Sequence, residues 1–458
     1  MKYFSTRDVS LKKSFNDILY QGLSNDGGLY LPIKWPKIEI ETLKNKSYED
    51  VALEIIHPFV KENFSKNEIS KILIKSYDNF SNSNIAPIKI LEKNKYLLEL
   101  IYGPTYAFKD YALQFLGNLF SESLNKHQRK ITILGATSGD TGSAAIHAFK
   151  SNNNINVFIL HPYKKVSPIQ QKQMTTVEEK NIFNIAIEGN FDDCQKIVKE
   201  LFLDKEIQNI TSLTAVNSIN WARLIPQIVY YFWAYLQIDK KDLNFIVPSG
   251  NFGNIFSAYV AKKMGLPINR LHIATNKNDI LRSIILNGNM NKKTVSETYS
   301  PSMDIQISSN FERQMFETLG RDSSKINNIF STFNKTGEYK FDKNTVDDFN
   351  KIYDASSVND VETLETIKIV FDQYKYISDP HTATGLKVLL EKNSTETWVS
   401  LVCAHPAKFN IPVKKAINQE VTIPNELSKL FDKKEKLTIL SNNTKEVKNF
   451  IMENIKYA

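Results

Sequence analysis

Lys130-Ile-Thr-Ile-Leu-Gly-Ala-Thr-Ser-Gly-Asp-Thr-Gly142 joins a short apolar run to a glycine loop and then to a helix-forming segment. A run of this length, bounded by glycine, reads as a buried strand. The same order returns at Leu243-Asn-Phe-Ile-Val-Pro-Ser-Gly-Asn-Phe-Gly-Asn254, with a good helix from Ile255 onward. Between and beyond these stretches, strands are expected at Val157 to Leu160, Phe183 to Ile187, Leu271 to Thr275 and Ser400 to Ala404. Helices are expected from Gly142, Pro168 and Asp192. Strands alternating with helices predict a wound, largely parallel α/β sheet.

The two glycine loops share a chemistry. At a helix start, free peptide N–H groups and the positive dipole end suit an anion without any lysine or arginine. Thr137, Ser138, Asp140 and Thr141 in the first loop suit a carboxylate, although a capping box explains the hydroxyls equally well. Gly250 and Gly253 in the second allow close backbone approach to a phosphate. Upstream, Tyr102-Gly-Pro-Thr-Tyr-Ala-Phe-Lys109-Asp110 leads through a Gly-Pro turn to one lysine among apolar neighbours. Desolvation there favours the neutral, nucleophilic amine, and a neutral lysine can make a Schiff base; the alternative is a lysine snorkelling from a helix start. In Asn217-Ser-Ile-Asn-Trp-Ala-Arg223, the arginine opens the apolar helix Trp221 to Ile238 and needs an anionic partner, either a ligand phosphate or an internal carboxylate.

The chain has 458 residues, 42% hydrophobic and 24% charged, ordinary for a folded protein of two to three domains. The formal charge of +8 is spread as lysine interleaved with acidic residues, without the basic stripe that nucleic acid requires. Two cysteines, Cys194 and Cys403, are too few for a disulfide framework or a cysteine-based zinc site, and no metal is expected. Neither a signal peptide nor a membrane-spanning run is evident, and a cytoplasmic location is expected.

These stretches resemble the threonine synthase family, whose GPT-x-AFKD, ATSGDTG and PSGNFG motifs stand here intact and in order. Gly22-Leu-Ser-Asn-Asp-Gly-Gly-Leu-Tyr-Leu-Pro32 is similar to the family's GL-x-x-DGGLY-x-P, and the likeness runs from there to Phe409. The resemblance implies a fold-type II pyridoxal 5'-phosphate (PLP) enzyme, tryptophan synthase β-like, with two wound α/β domains and an N-terminal helical and β region. The expected divisions are 1–90, a smaller domain at 91–215 carrying the lysine, a larger one at 216–412 holding the cofactor phosphate, and a helical cover at 413–458. It further implies Lys109 as Schiff-base lysine and acid/base, and Gly250, Asn251, Phe252, Gly253 and Asn254 around the cofactor phosphate. Thr382, with Thr384 second, is the expected partner of the pyridine nitrogen. Thr137, Ser138, Asp140 and Thr141 would take the substrate carboxylate, and Asn217, Ser218 and Arg223 its phosphate.

The implied reaction converts O-phospho-L-homoserine and water to L-threonine and phosphate, by a monomer or homodimer without nucleic-acid or membrane partners. Rival readings are a phospho-lyase or hydroxyamino-acid dehydratase on the same fold, and an anion-binding protein without turnover. His405 and Lys408, in Ala404-His-Pro-Ala-Lys-Phe409, are read as structural or substrate-orienting. The polar stretch from Asn287 to Lys343 is expected to form loops and surface helices.

Overall fold

Leu243–Pro248 is buried at every residue, and so is Trp398–Val402, as parallel strands covered on both faces must be. In the computed structural model, which describes residues 1–455, these two strands lie side by side in the middle of a six-stranded sheet. Its order is Tyr353–Ser357, Ile268–Thr275, Leu243–Pro248, Trp398–Val402, Lys95–Glu99, Ile88–Glu92. Only the last pair is antiparallel.

A second sheet is parallel throughout and runs Thr438–Ser441, Ile182–Glu188, Ile155–Pro162, Ile131–Ala136, Leu213–Thr214. The apolar helix Trp221–Ile238 begins at its cap Asn220, whose side chain accepts from Ala222 N and also donates to Leu19 O at 3.0 Å. One residue therefore starts the core helix and ties the N-terminal segment to it. The helix Tyr48–Val60 packs on that same helix, its Ser47 side chain capping the first turn. A two-stranded antiparallel ribbon pairs Tyr3–Ser5 with Tyr30–Pro32, at the end of the Gly22–Pro32 segment.

Three expectations need correction. The tail after Phe409 is not only a helical cover: Thr438–Ser441 adds a parallel strand to the edge of the smaller sheet, and the Thr444–Asn454 helix follows it. Residues 456–458 of that expected cover lie outside the described residues. The strands Ile88–Glu92 and Lys95–Glu99 pair into the larger sheet, so sheet membership cuts across the expected limits at 90 and 215. The polar stretch is not merely superficial either, because the helix Phe311–Thr318 buries Phe311, Arg313, Met315 and Phe316. Among the described residues no helix is long and apolar enough to cross a membrane, and no cluster of His, Cys, Asp and Glu could hold a metal.

Candidate active site

Gly103 has no room for a side chain, since a Cβ there would come within 2.4 Å of the Cβ of Asp110. The Asp110 carboxylate accepts from Thr105 N at 2.8 Å and from Thr105 Oγ1 at 2.7 Å, closing the Gly-Pro-Thr loop on itself. Burial pushes that carboxyl up to about 6. The loop is also laced to the segment after Trp398–Val402, with Phe108 N donating to Cys403 O and His405 N to Tyr106 O. Lys109 is thus presented as the first residue of the helix Lys109–His127, with its side chain 9% exposed.

The Lys109 amine lies 3.1 Å from Ser302 Oγ and 3.5 Å from Asp140 Oδ2. Burial lowers its proton affinity; Asp140 opposes this, while Arg223 and Lys408 add to it. A cavity of about 270 Å³ opens in front of it, at the carboxyl ends of strands from both sheets. Its wall includes Thr137, Ser138, Asp140 and Thr141, then Asn217, Ser218 and Arg223, then Gly250, Asn251, Phe252, Gly253 and Asn254. Segments far apart in the chain therefore meet around one amine.

Thr382 does not join them. Its hydroxyl donates to Asp379 and accepts from Cys403 N, and neither it nor Thr384, which donates to His381 O, opens on the cavity. Cys403 lines the wall instead, its thiol pushed well up by burial and so kept protonated. Asp140 also departs from expectation. Its side chain turns away from any carboxylate seat, toward Lys109 on one oxygen and Lys408 at 2.7 Å on the other. Thr137 Oγ1 is occupied by the amides of Gly139 and Gly142. Ser138 and Thr141 make no side-chain hydrogen bond among the described residues, so their hydroxyls are free for a ligand.

Arg223 is 5% exposed and donates through Nη1 to Val216 O at 2.7 Å, while its Nε has no partner among the described residues. Burial lowers its affinity to about 10, which leaves it charged at neutral pH, and among the described residues no carboxylate pairs with it. Ser218 Oγ accepts from Asn251 Nδ2 at 2.6 Å and Asn310 Nδ2 at 3.0 Å. Both of its lone pairs are used, and its proton remains to donate. Asn251 Oδ1 in turn accepts from Ser309 N. The glycine turn at Pro248 to Asn254 is tight: a Cβ on Gly250 would meet Met303 Cα at 2.8 Å, and Phe252 caps the next helix in the left-handed region, at φ +63°.

Sequence reading missed Ser302, Met303 and Ile305, which come from the polar stretch and carry no motif. It also missed Cys403 and His381, whose Nε2 accepts from Ser302 N at 3.2 Å and whose Nδ1 faces Asp379 Oδ1 at 2.9 Å. The one available signal was a proline directly before Ser302 and before His381, each at a helix start.

The residues present fit PLP on the structure's own terms. An amine of lowered basicity faces a helix start that has no side-chain cap, and Ser249 Oγ is buried without a partner at the same turn. Comparison with known proteins agrees. Residues 2–77 match the family model described as threonine synthase N terminus, 90–329 that of pyridoxal-phosphate dependent enzyme, and 382–451 that of threonine synthase, C-terminal. Threonine synthase of Pseudomonas aeruginosa is 42% identical, covering 99% of this chain and 98% of its own. That of Saccharomyces cerevisiae is 40% identical over 99% and 98%. The crystal structure of PLP-bound threonine synthase from Brucella melitensis superposes with a TM-score of 0.96 at 43% identity, covering all of both chains. That from Escherichia coli gives 0.85 at 30% identity, covering 99% of this chain and 100% of its own. With full-length identity of this order, all three family segments present and a lysine-centred cavity built from the expected loops, the chain belongs to the threonine synthase family of PLP-dependent enzymes.

Proposed function

We propose that the chain converts O-phospho-L-homoserine and water to L-threonine and phosphate, with Lys109 as the cofactor lysine and proton carrier. One observation carries the choice of substrate: a buried, charged arginine without a carboxylate lines the same cavity as the lysine. Its missing partner is a dianion of the ligand.

PLP, when bound, supplies a sink for the electrons left behind as protons are taken from the substrate carbons. The chain's own residues do the rest. The turn Gly250 to Asn254 holds the cofactor phosphate through main-chain N–H groups, and Gly253 leaves room where a Cβ would press on Ser218 at 3.2 Å. Cys403, a protonated thiol on the wall, would serve in place of Thr382 as the neutral group that helps hold the cofactor. Ser138, Thr141 and the first amides of the Asp140–Phe149 helix seat the substrate carboxylate. Asn217, the free Ser218 proton and Arg223 hold the phosphate at the other end.

A substrate held at both ends lies with Cα and Cβ before Lys109, so one amine serves successive proton transfers. Phosphate leaves from Cγ, Cγ takes up a proton and becomes the methyl group, and water adds its oxygen at Cβ while releasing a proton. The reaction run in heavy-oxygen water is expected to place solvent oxygen in the threonine hydroxyl, with one equivalent of phosphate. Accumulation of 2-ketobutyrate and ammonia as main products would make the chain a lyase. Borohydride reduction of the holoenzyme followed by peptide mapping should find the cofactor on Lys109, and Lys109→Ala should abolish turnover.

A further inference from the structure

Asp140 is shared by two lysines. Its Oδ1 lies 2.7 Å from Lys408 Nζ and accepts from Gln170 Nε2 at 2.8 Å, and its Oδ2 lies 3.5 Å from Lys109. Lys408 has no solvent exposure, does not line the cavity, and gives a further bond to Thr105 O at 2.8 Å, on the loop that carries Lys109. It therefore reaches from the segment after the middle strand of the larger sheet to a helix start of the smaller one.

We propose that Lys408 is a positioning residue for the reaction: by taking the nearer oxygen of Asp140 it keeps that carboxylate from capturing the Lys109 amine as a full ion pair. The inference rests on Lys109 being the cofactor lysine. Charge accounting supports it. A lone buried carboxylate 3.5 Å from a lysine would hold the proton on the amine, and an amine held as ammonium neither attacks nor accepts a proton. With Lys408 closer, the negative charge is largely spent before it reaches Lys109, and Lys408 and Arg223 both repel a proton there. Burial works against ionisation of Asp140, but Lys408, Lys109 and then His381 outweigh it and hold its carboxyl far below the usual range. The remaining groups near the amine are the protonated Cys403 thiol, Asp379, engaged by His381 and Thr382, and Asp110, engaged by Thr105. None of these replaces the Lys408 contact to Asp140.

The test reads proton affinity apart from turnover. Cofactor-stripped full-length protein is labelled with trace acetic anhydride across a pH series, and the fraction modified at Lys109 is followed by peptide mass spectrometry. Lys408→Met and Lys408→Gln should move the Lys109 midpoint up by about one pH unit, a tenfold change in free amine below the midpoint. Lys408→Arg, which keeps the charge, should restore it. In the holoenzyme the acid limb of the kcat profile should move the same way. A Lys109 midpoint unchanged in folded neutral variants would overturn the proposal. Should both neutral variants fail to fold, Asp140→Asn decides: with Lys408 still charged and the carboxylate gone, the Lys109 midpoint must fall below wild type, and an unchanged midpoint overturns the idea. A borohydride label on some other lysine would instead strike the reading of Lys109 itself.

Discussion

Arg223 donates to one carbonyl and leaves Nε unpaired in a buried wall, an arrangement that costs folding stability and is useful only to a ligand. Arg223→Met should therefore raise the melting temperature while lowering kcat/KM for O-phosphohomoserine. A lost charge-assisted contact is worth about 1.5–3 kcal/mol, or roughly 10- to 150-fold. Inorganic phosphate should stabilise the wild type against heat and leave the Met variant unmoved; equal stabilisation of both would place the phosphate seat elsewhere. Lys109 was legible because a lone lysine in an apolar stretch is chemically conspicuous. The placement of Thr382 off the cavity wall was not legible, because the direction of its buried hydroxyl is set by Asp379 and the Cys403 amide, and no local pattern encodes that pair. The direction of the Asp140 side chain was hidden for a related reason: its carboxylate answers to Lys408, far along the chain.

At the scale of elements, the segment Thr298–Gln306 shows how a motif-free loop is fixed. Asp304 Oδ1 accepts from Thr298 Oγ1 at 2.7 Å, Asn276 Nδ2 at 2.8 Å and Asn278 Nδ2 at 2.9 Å, and its Oδ2 from Thr298 N at 3.0 Å. That anchorage delivers Ser302 to Lys109. Asp304→Ala removes these four bonds, leaves Thr298 N without its acceptor, and should destabilise the fold by roughly 3 kcal/mol in urea titrations while lowering kcat. Loss of stability with normal kcat would separate the anchor from the site. Gly250→Ala tests the facing element: a Cβ 2.8 Å from Met303 Cα pushes the loop and the turn apart, and cofactor should dissociate at lower dilution than from wild type. The wound strands were readable because double burial demands continuous apolar runs, as at Leu243–Pro248. Thr438–Ser441 was not, since an edge strand with alternating half-exposed residues looks like a loop until Ile182–Glu188 pairs with it.

Taken whole, the molecule holds histidines that burial keeps neutral. His147, His272 and His405 are pushed down from 6.5 to about 4, and His161 is also lowered. His161 acts in the same direction as the other three; for those three the folded pKa lies below the unfolded one, so the contribution to stability is complete above 6.5 and is lost as pH falls toward 4. Within that window each histidine contributes a slope of about 1.4 kcal/mol per pH unit. Asp110, raised from 3.8 to about 6, and Asp304, also raised by burial, act with the opposite sign, but two groups do not offset four. The urea midpoint should fall between pH 7 and pH 5, and a rising midpoint would contradict the burial assigned to these rings. The position of Trp398–Val402, between Leu243–Pro248 and Lys95–Glu99, bears on how the protein is made. During synthesis the Lys95–Glu99 strand leaves the ribosome long before its inner neighbour exists, and Leu243–Pro248 must also wait with one edge bare. The strand Ile182–Glu188 waits in the same way, for Thr438–Ser441. Neither sheet can close on a nascent chain that ends before its late strand, so a stalled ribosome leaves apolar strand edges open to other chains.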